Sequence, residues 1–240
     1  MNLLIINGSP KAERSHTMHI TNAFVRGFGE DARVETVELY RSDIKPCTGC
    51  FYCWKSGTGK CAISDDVRSI HGKITAADVI IFSFPLYFFG VPSQVKALID
   101  RSLPLMVPYM SKSDDPHRAS FHEFRDTSIT DKKLVVISSC GYVETEPMYS
   151  ALLTHLDLIL RGRKYTPILC AQGEIFIAEH PIRQRESYLA DIEKAGREFS
   201  ENLCLSDETI EKISKPILTS KGFGILASNH WLPKKEDGGH

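Results

Sequence analysis

Five short apolar runs, each bounded by turn residues, constrain this chain more than any other feature. They fall at Asn2–Ile6, Val34–Leu39, Asp78–Phe84, Lys133–Ser138 and Tyr165–Cys170. Runs such as LLII, VIIF and LVVI have no polar alternation, which suits strands covered on both faces. Amphipathic helical patterns lie between and after them, at Thr17–Phe28, Asp65–Ala76, Ser93–Leu103, Pro147–Leu160 and Glu186–Leu203. Strand alternating with helix predicts an α/β protein whose parallel sheet is wrapped by right-handed crossovers. Five strands favour a doubly wound sheet of order 2-1-3-4-5 over the larger dinucleotide-binding arrangement.

Three stretches break the alternation: Tyr40–Ser64, Pro104–Asp131 and the tail beyond Asp207. Long irregular connections in compact domains are usually functional. Residues 1–204 are expected to form the sheet domain. Residues 205–240 form a helix and an arm, with Pro216, Gly222, Gly224 and Trp231, that packs either on its own domain or on a neighbouring subunit. The 29 basic side chains against 30 acidic ones leave a formal charge of -1 with no block of like charge. That balance argues against nucleic acid or a polybasic membrane anchor as partner. The N-terminal apolar run Leu3–Ile6 is too short for a signal peptide or a spanning helix. It reads as a buried strand of a cytoplasmic protein.

After the first strand the chain reads NGSPKAERSHT before a helix begins. It lacks the several glycines of a dinucleotide loop. Hydroxyls at Ser9, Ser15 and Thr17, beside free N–H groups at a helix N-terminus, suit a terminal phosphate monoester. His16 lies in the same loop. The alternative is that Ser15 or Thr17 is simply a helix cap. The first and third strands flank the switch point where such a sheet takes its ligand. There the third strand leads into Pro85, Leu86, Tyr87, Phe88, Phe89 and Gly90, a loop against which a flat conjugated ring fits. A hydrophobic plug or a subunit contact is the alternative. A third loop at the same edge, SSCGYVETEP, offers Gly141 for close backbone approach.

Four of the seven cysteines, Cys47, Cys50, Cys53 and Cys61, fall in one short segment. A large chain without an export signal points to metal ligation or redox work rather than to disulfides. Four thiolates on a compact loop are the usual ligand set of a [4Fe-4S] cluster. Zinc bound by the same four thiolates, or a set of unligated thiols packed around Trp54, are the alternatives.

INGSPKAERSHT, then PCTGCFYCWKSGTGKC followed by DDV, then Ala77–Arg101, resemble the NAD(P)H-dependent flavin oxidoreductases of flavodoxin-like fold, and within them the iron-sulfur flavoproteins. The resemblance is specific from Met1 to about Arg101 and looser to Cys170. It implies FMN, with Ser9, Ser15 and Thr17 at phosphate-binding positions, Pro85, Leu86, Tyr87 and Phe88 in the flavin-ring loop, and Gly141 in a third flavin loop. It also implies a [4Fe-4S] cluster on the four cysteines and a homodimer or homotetramer. On this reading FMN takes hydride from NAD(P)H and passes electrons to a flavin, quinone, nitro compound or iron-sulfur partner. No side chain is required as acid or base.

Two other classes stay open: a non-enzymatic electron carrier, and a thiol- or metal-sensing binding module. Cys140 has no assignable base, and His19, His71, His117 and His122 match no zinc spacing. Asp65 and Asp66 are expected to cap the following helix, and Asp100 with Arg101 to form a surface or inter-subunit pair.

Overall fold

The computed structural model describes residues 1–110, 122–177 and 182–231. The main sheet consists of β1 (Asn2–Asn7), β2 (Arg33–Glu38), β3 (Val79–Pro85), β6 (Lys133–Ser139) and β7 (Thr166–Cys170), all parallel, in the order β2-β1-β3-β6-β7. This is the expected doubly wound order. The fourth and fifth sheet strands are β6 and β7 because β4 (Met106–Met110) and β5 (His122–Phe124) intervene as a separate antiparallel pair inside the irregular 104–131 stretch.

Strand periodicity decides which helix covers which face. Leu3, Ile5, Val79, Ile81, Val135 and Ile137 point to one side, where they pack on Met18, Ile20 and Phe24 of α1 (His16–Arg26) and on Tyr188, Ile192 and Phe199 of α6 (Arg183–Asn202). Leu4, Ile6, Ile80 and Val136 point to the other side. They meet Val67, Ile70 and Ile74 of α3 (Val67–Ala76), Val95 and Leu98 of α4 (Ser93–Asp100), and Leu152 and Leu156 of α5 (Ser150–Leu160). β2 is an edge strand and mostly exposed, as its RVETVE sequence dictates. α1 and α6 come close enough that a Cβ on Gly27 or Gly196 would run into the backbone of the other helix.

The tail folds back on this domain. α7 (Asp207–Ser214), capped by Ser206 through Thr209 N–H at 3.3 Å, and α8 (Ser220–Trp231) place Ile213 and Phe223 in or beside the α1/α6 core. Gln172, fully buried, clamps the connection between these helices. Its Nε2 donates to Leu218 O at 2.9 Å and to Val143 O at 3.3 Å, and its Oε1 accepts from Leu218 N at 2.7 Å. Among the described residues no helix is long and apolar enough to cross a membrane.

Candidate functional site

The carboxyl ends of β1, β3 and β6 release three loops around one open cleft of about 190 Å³. Ser9, Ser15, His16 and Thr17 line it from the first loop, Pro85, Leu86 and Tyr87 from the second, and Gly141 from the third. Ser9, Ser15 and Thr17 are buried. Ser15 occupies the N-cap position of α1 without a capping hydrogen bond from its side chain, so the plain capping role is not realised. Thr17 differs: its hydroxyl lies 2.7 Å from that of Ser139 on β6 and ties the helix to the sheet. Ser9 N–H donates to Asn7 Oδ1 at 3.0 Å and Lys11 N–H to Ser9 Oγ at 3.3 Å, which tightens the loop before the helix.

Phe88 stands apart from the cleft. Tyr87 and Gly90 exchange two backbone hydrogen bonds, at 3.1 and 3.0 Å, in a tight turn whose central residues, Phe88 and Phe89, both have positive φ (45° and 63°). That turn throws the Phe88 ring fully into solvent, whereas Phe89 stacks on Tyr142 at 5.8 Å and joins the second loop to the third.

Ser139 and Cys140, inside the third loop, also line the cleft. Four further lining residues, Lys11, Gly173, Glu174 and Trp231, were not singled out from the sequence. Lys11 lay inside the NGSPKAERSHT motif, and its charge beside the hydroxyls was a usable signal. Glu174 and Trp231 reach the cleft only through the fold. Oε2 of Glu174 is buried with no hydrogen-bond partner among the described residues. His16 is held neutral, its pKa lowered to about 4 by burial first, then by Lys11, His19 and His230. Burial raises the Cys140 thiol, which suits an inert wall better than a nucleophile.

Cys47, Cys50, Cys53 and Cys61 all line a second, apolar cavity of about 60 Å³, together with Phe51, Arg101 and Leu103. All seven cysteines are free. The short helix α2 (Tyr52–Lys55) carries Cys53, and Trp54 Nε1 anchors it by donating to Leu103 O and Met106 O, both at 3.1 Å. Backbone N–H donation at Tyr52 and then the Thr48 hydroxyl lower the Cys50 pKa; burial and then Cys61 raise that of Cys53. The donor set therefore fits a thiolate-bound group, but among the described residues no three His, Cys, Asp or Glu side chains converge closely enough to hold one metal ion.

Arg101 is not the surface or inter-subunit partner of Asp100 that its helix-end position suggests. Asp100 pairs with Lys96 at 2.6 Å, while Arg101, 1% exposed, grips Asp65 through Nη1–Oδ2 at 2.6 Å and Nη2–Oδ1 at 2.9 Å and donates to Lys45 O at 2.7 Å. Asp65 also accepts from Val67 N at 3.2 Å and Lys45 N at 3.1 Å, so one buried pair starts α3 and closes the neck of the cysteine loop. Asp66 caps no helix with its side chain, which instead accepts from Asp43 N at 2.8 Å. Residues 111–121, His117 among them, lie outside the described residues, as does the tail beyond 231.

A family model described as flavodoxin-like fold matches residues 1–192. An iron-sulfur flavoprotein of Methanocaldococcus jannaschii is 37% identical over 113 residues, 47% of this chain and 58% of that protein. The chain spans about half the length of the curated iron-sulfur flavoproteins it matches. A Pseudomonas aeruginosa protein named FMN-dependent NAD(P)H:quinone oxidoreductase 1 is 25% identical over 191 residues, 72% of this chain and 87% of the relative. Among solved structures, an NAD(P)H:quinone oxidoreductase from Methanothermobacter marburgensis superposes with a TM-score of 0.58 at 20% identity, covering 83% of this chain and 96% of the other, which shows the shared fold.

Proposed function

The chain belongs to the flavodoxin-like fold family, and from that premise we propose that it is an FMN-dependent oxidoreductase that takes electrons from NAD(P)H. The observation that carries this reading is the convergence of Ser9, Ser15 and Lys11 at the start of α1, where two buried hydroxyls, backbone N–H groups and a cation face one cleft. That set suits a phosphate monoester, with the helix dipole adding to the attraction. Pro85, Leu86 and Tyr87 form the wall for the ring. Phe88 holds the edge of that loop. Gly141 lets the Glu174 carboxylate pack close against the third loop, and the unpartnered Glu174 oxygen accepts from a hydroxyl or ring N–H. Bound FMN supplies hydride acceptance and onward electron transfer. The chain contributes position and charge. A cleft of about 190 Å³ is smaller than the usual enclosed ligand pocket and leaves one side open, as a site serving first a nicotinamide and then a quinone, flavin or nitro acceptor requires. The relative named as a quinone oxidoreductase supports a quinone among the acceptors.

The test is anaerobic. Protein purified without oxygen is expected to show flavin absorbance, or to regain it with added FMN, and NAD(P)H is expected to bleach it until a quinone is admitted. Protein that neither carries nor takes up FMN would sink the reading; uptake without NAD(P)H-driven bleaching would favour an electron carrier.

A second reading concerns the cysteines. The relatives named iron-sulfur flavoproteins and the shared cavity of Cys47, Cys50, Cys53 and Cys61 support a [4Fe-4S] cluster held by those four thiolates. Iron and acid-labile sulfide measured on the same anaerobic sample decide it. Equimolar iron and sulfide support the cluster, zinc alone supports a structural metal, and neither leaves a set of thiols. Free cysteines throughout suit a reducing, cytoplasmic setting. Assembly as a homodimer or homotetramer completes the proposal.

A further inference from the structure

The family match ends at residue 192, yet one wall of the cofactor cleft comes from well beyond it. Trp231, at the end of α8, lines the cleft with Ser9, Ser15, His16 and Glu174. Its position is fixed by three features. Gln172, in the turn that follows β7, holds Leu218 by a pair of hydrogen bonds just before α8. Phe223, 4% exposed, plugs α8 into the domain. The indole rests edge-on against His230 at 4.6 Å, and His230 lies near enough to His16 to act on its charge. The same Gln172 bonds Val143 O and Tyr142 O, so the third cofactor loop and the C-terminal helix share one anchor. A large aromatic side chain placed this way remains 66% exposed.

We infer that Trp231 is a cofactor-binding residue of this chain, which covers the open side of the FMN site and slows the cofactor's escape. The inference rests on the FMN reading. The C-terminal helix then belongs to the active cleft, and cofactor retention depends on a segment the family match does not include.

Apoprotein titrated with FMN, followed by the quenching of flavin fluorescence, tests this without any turnover. Trp231→Ala is expected to raise the Kd about tenfold and Trp231→Phe no more than about threefold, since a second aromatic ring restores most of the contact area. The far-ultraviolet circular dichroism and Tm of both apoproteins should match wild type, because the residue is largely exposed. Intrinsic tryptophan emission gives an independent reading: FMN should quench wild type more strongly than Trp231→Phe, which keeps only Trp54. Wild type that binds FMN while Trp231→Ala binds equally well overturns the inference alone. Wild type that never binds FMN removes the cofactor reading and this inference with it.

Discussion

Ser15 and Thr17 lie two residues apart at the start of α1, both buried, but only the Thr17 hydroxyl has a partner in the sheet. Replacing Ser9 and Ser15 together by Ala removes two donors to a charged group, each contributing about 1.5–3 kcal/mol. FMN affinity is expected to fall at least about a hundredfold, read by flavin fluorescence titration, with a small loss of Tm from the Lys11 N–H to Ser9 Oγ bond. Thr17→Val should do the reverse: it strands Ser139 in the interior and lowers stability by about 1–2 kcal/mol in a urea melt, with a smaller effect on affinity. Histidines set the acid limit. His71 is buried beside Arg101, its Nε2 has no hydrogen-bond partner among the described residues, and burial followed by Arg101 lowers its pKa from 6.5 to about 4. Below pH 6.5 the unfolded chain takes a proton that the folded chain refuses until about pH 4. Stability is therefore full above pH 6.5 and declines through that window, by up to about 3 kcal/mol from this one group. Urea melts between pH 7 and 4.5 should show the decline in wild type and a shallower one in His71→Leu; an equal slope in both would assign the acid sensitivity elsewhere. His16 titrates in the same direction and adds to the effect, although its greater exposure weakens it.

At the scale of elements, two contacts hold the architecture where periodicity is silent. Gly196 packs against the Phe24 carbonyl of α1, so Gly196→Ala forces α1 and α6 apart and is expected to lose about 1–3 kcal/mol despite the better helix propensity of Ala. The Asp65–Arg101 pair, with both side chains at 1% exposure or less, spans the neck of the cysteine loop. Arg101→Met leaves a buried carboxylate without its counter-charge and should cost about 3–5 kcal/mol, part of it recovered by adding Asp65→Asn, which keeps an acceptor for Lys45 N and Val67 N. A double variant no better than the single one would show that the loop needs the charges and not only the packing. These contacts explain what could be read beforehand. The three central strands β1, β3 and β6 were legible because LLII, VIIF and LVVI carry their burial in consecutive residues. β4 and β5 were not, since MVPYM contains a proline and HEF spans only three residues. The part of the cleft formed by Ser9, Ser15, His16 and Thr17 was legible because it is contiguous after β1. Glu174 and Trp231 reach the cleft, and Asp65 reaches Arg101, from positions distant in sequence that only the assembled fold brings together.

For the molecule as a whole, the open question is what covers the aromatic surface beside the cleft. Phe88 is fully exposed, Tyr87, Phe89 and Tyr142 are each close to half exposed, and Phe89 stacks on Tyr142. Phe88 and Phe89 both hold positive φ, a conformation that costs a bulky residue about 1–3 kcal/mol and persists where the surroundings demand it. Within one chain the strain at Phe88 gains nothing, because its ring touches only solvent. A second copy seated on this loop would bury the ring, and the strained turn would then be favourable in the assembly. The proposed homodimer or homotetramer is thus expected to use the Tyr87–Gly90 turn, close to the cofactor. Sedimentation velocity should show wild type as a dimer or tetramer and Phe88→Glu shifted towards monomer, with secondary structure intact and FMN still bound through Ser9 and Ser15. A Phe88→Glu protein that sediments like wild type would move the interface to another face and leave the turn as an element that meets the acceptor.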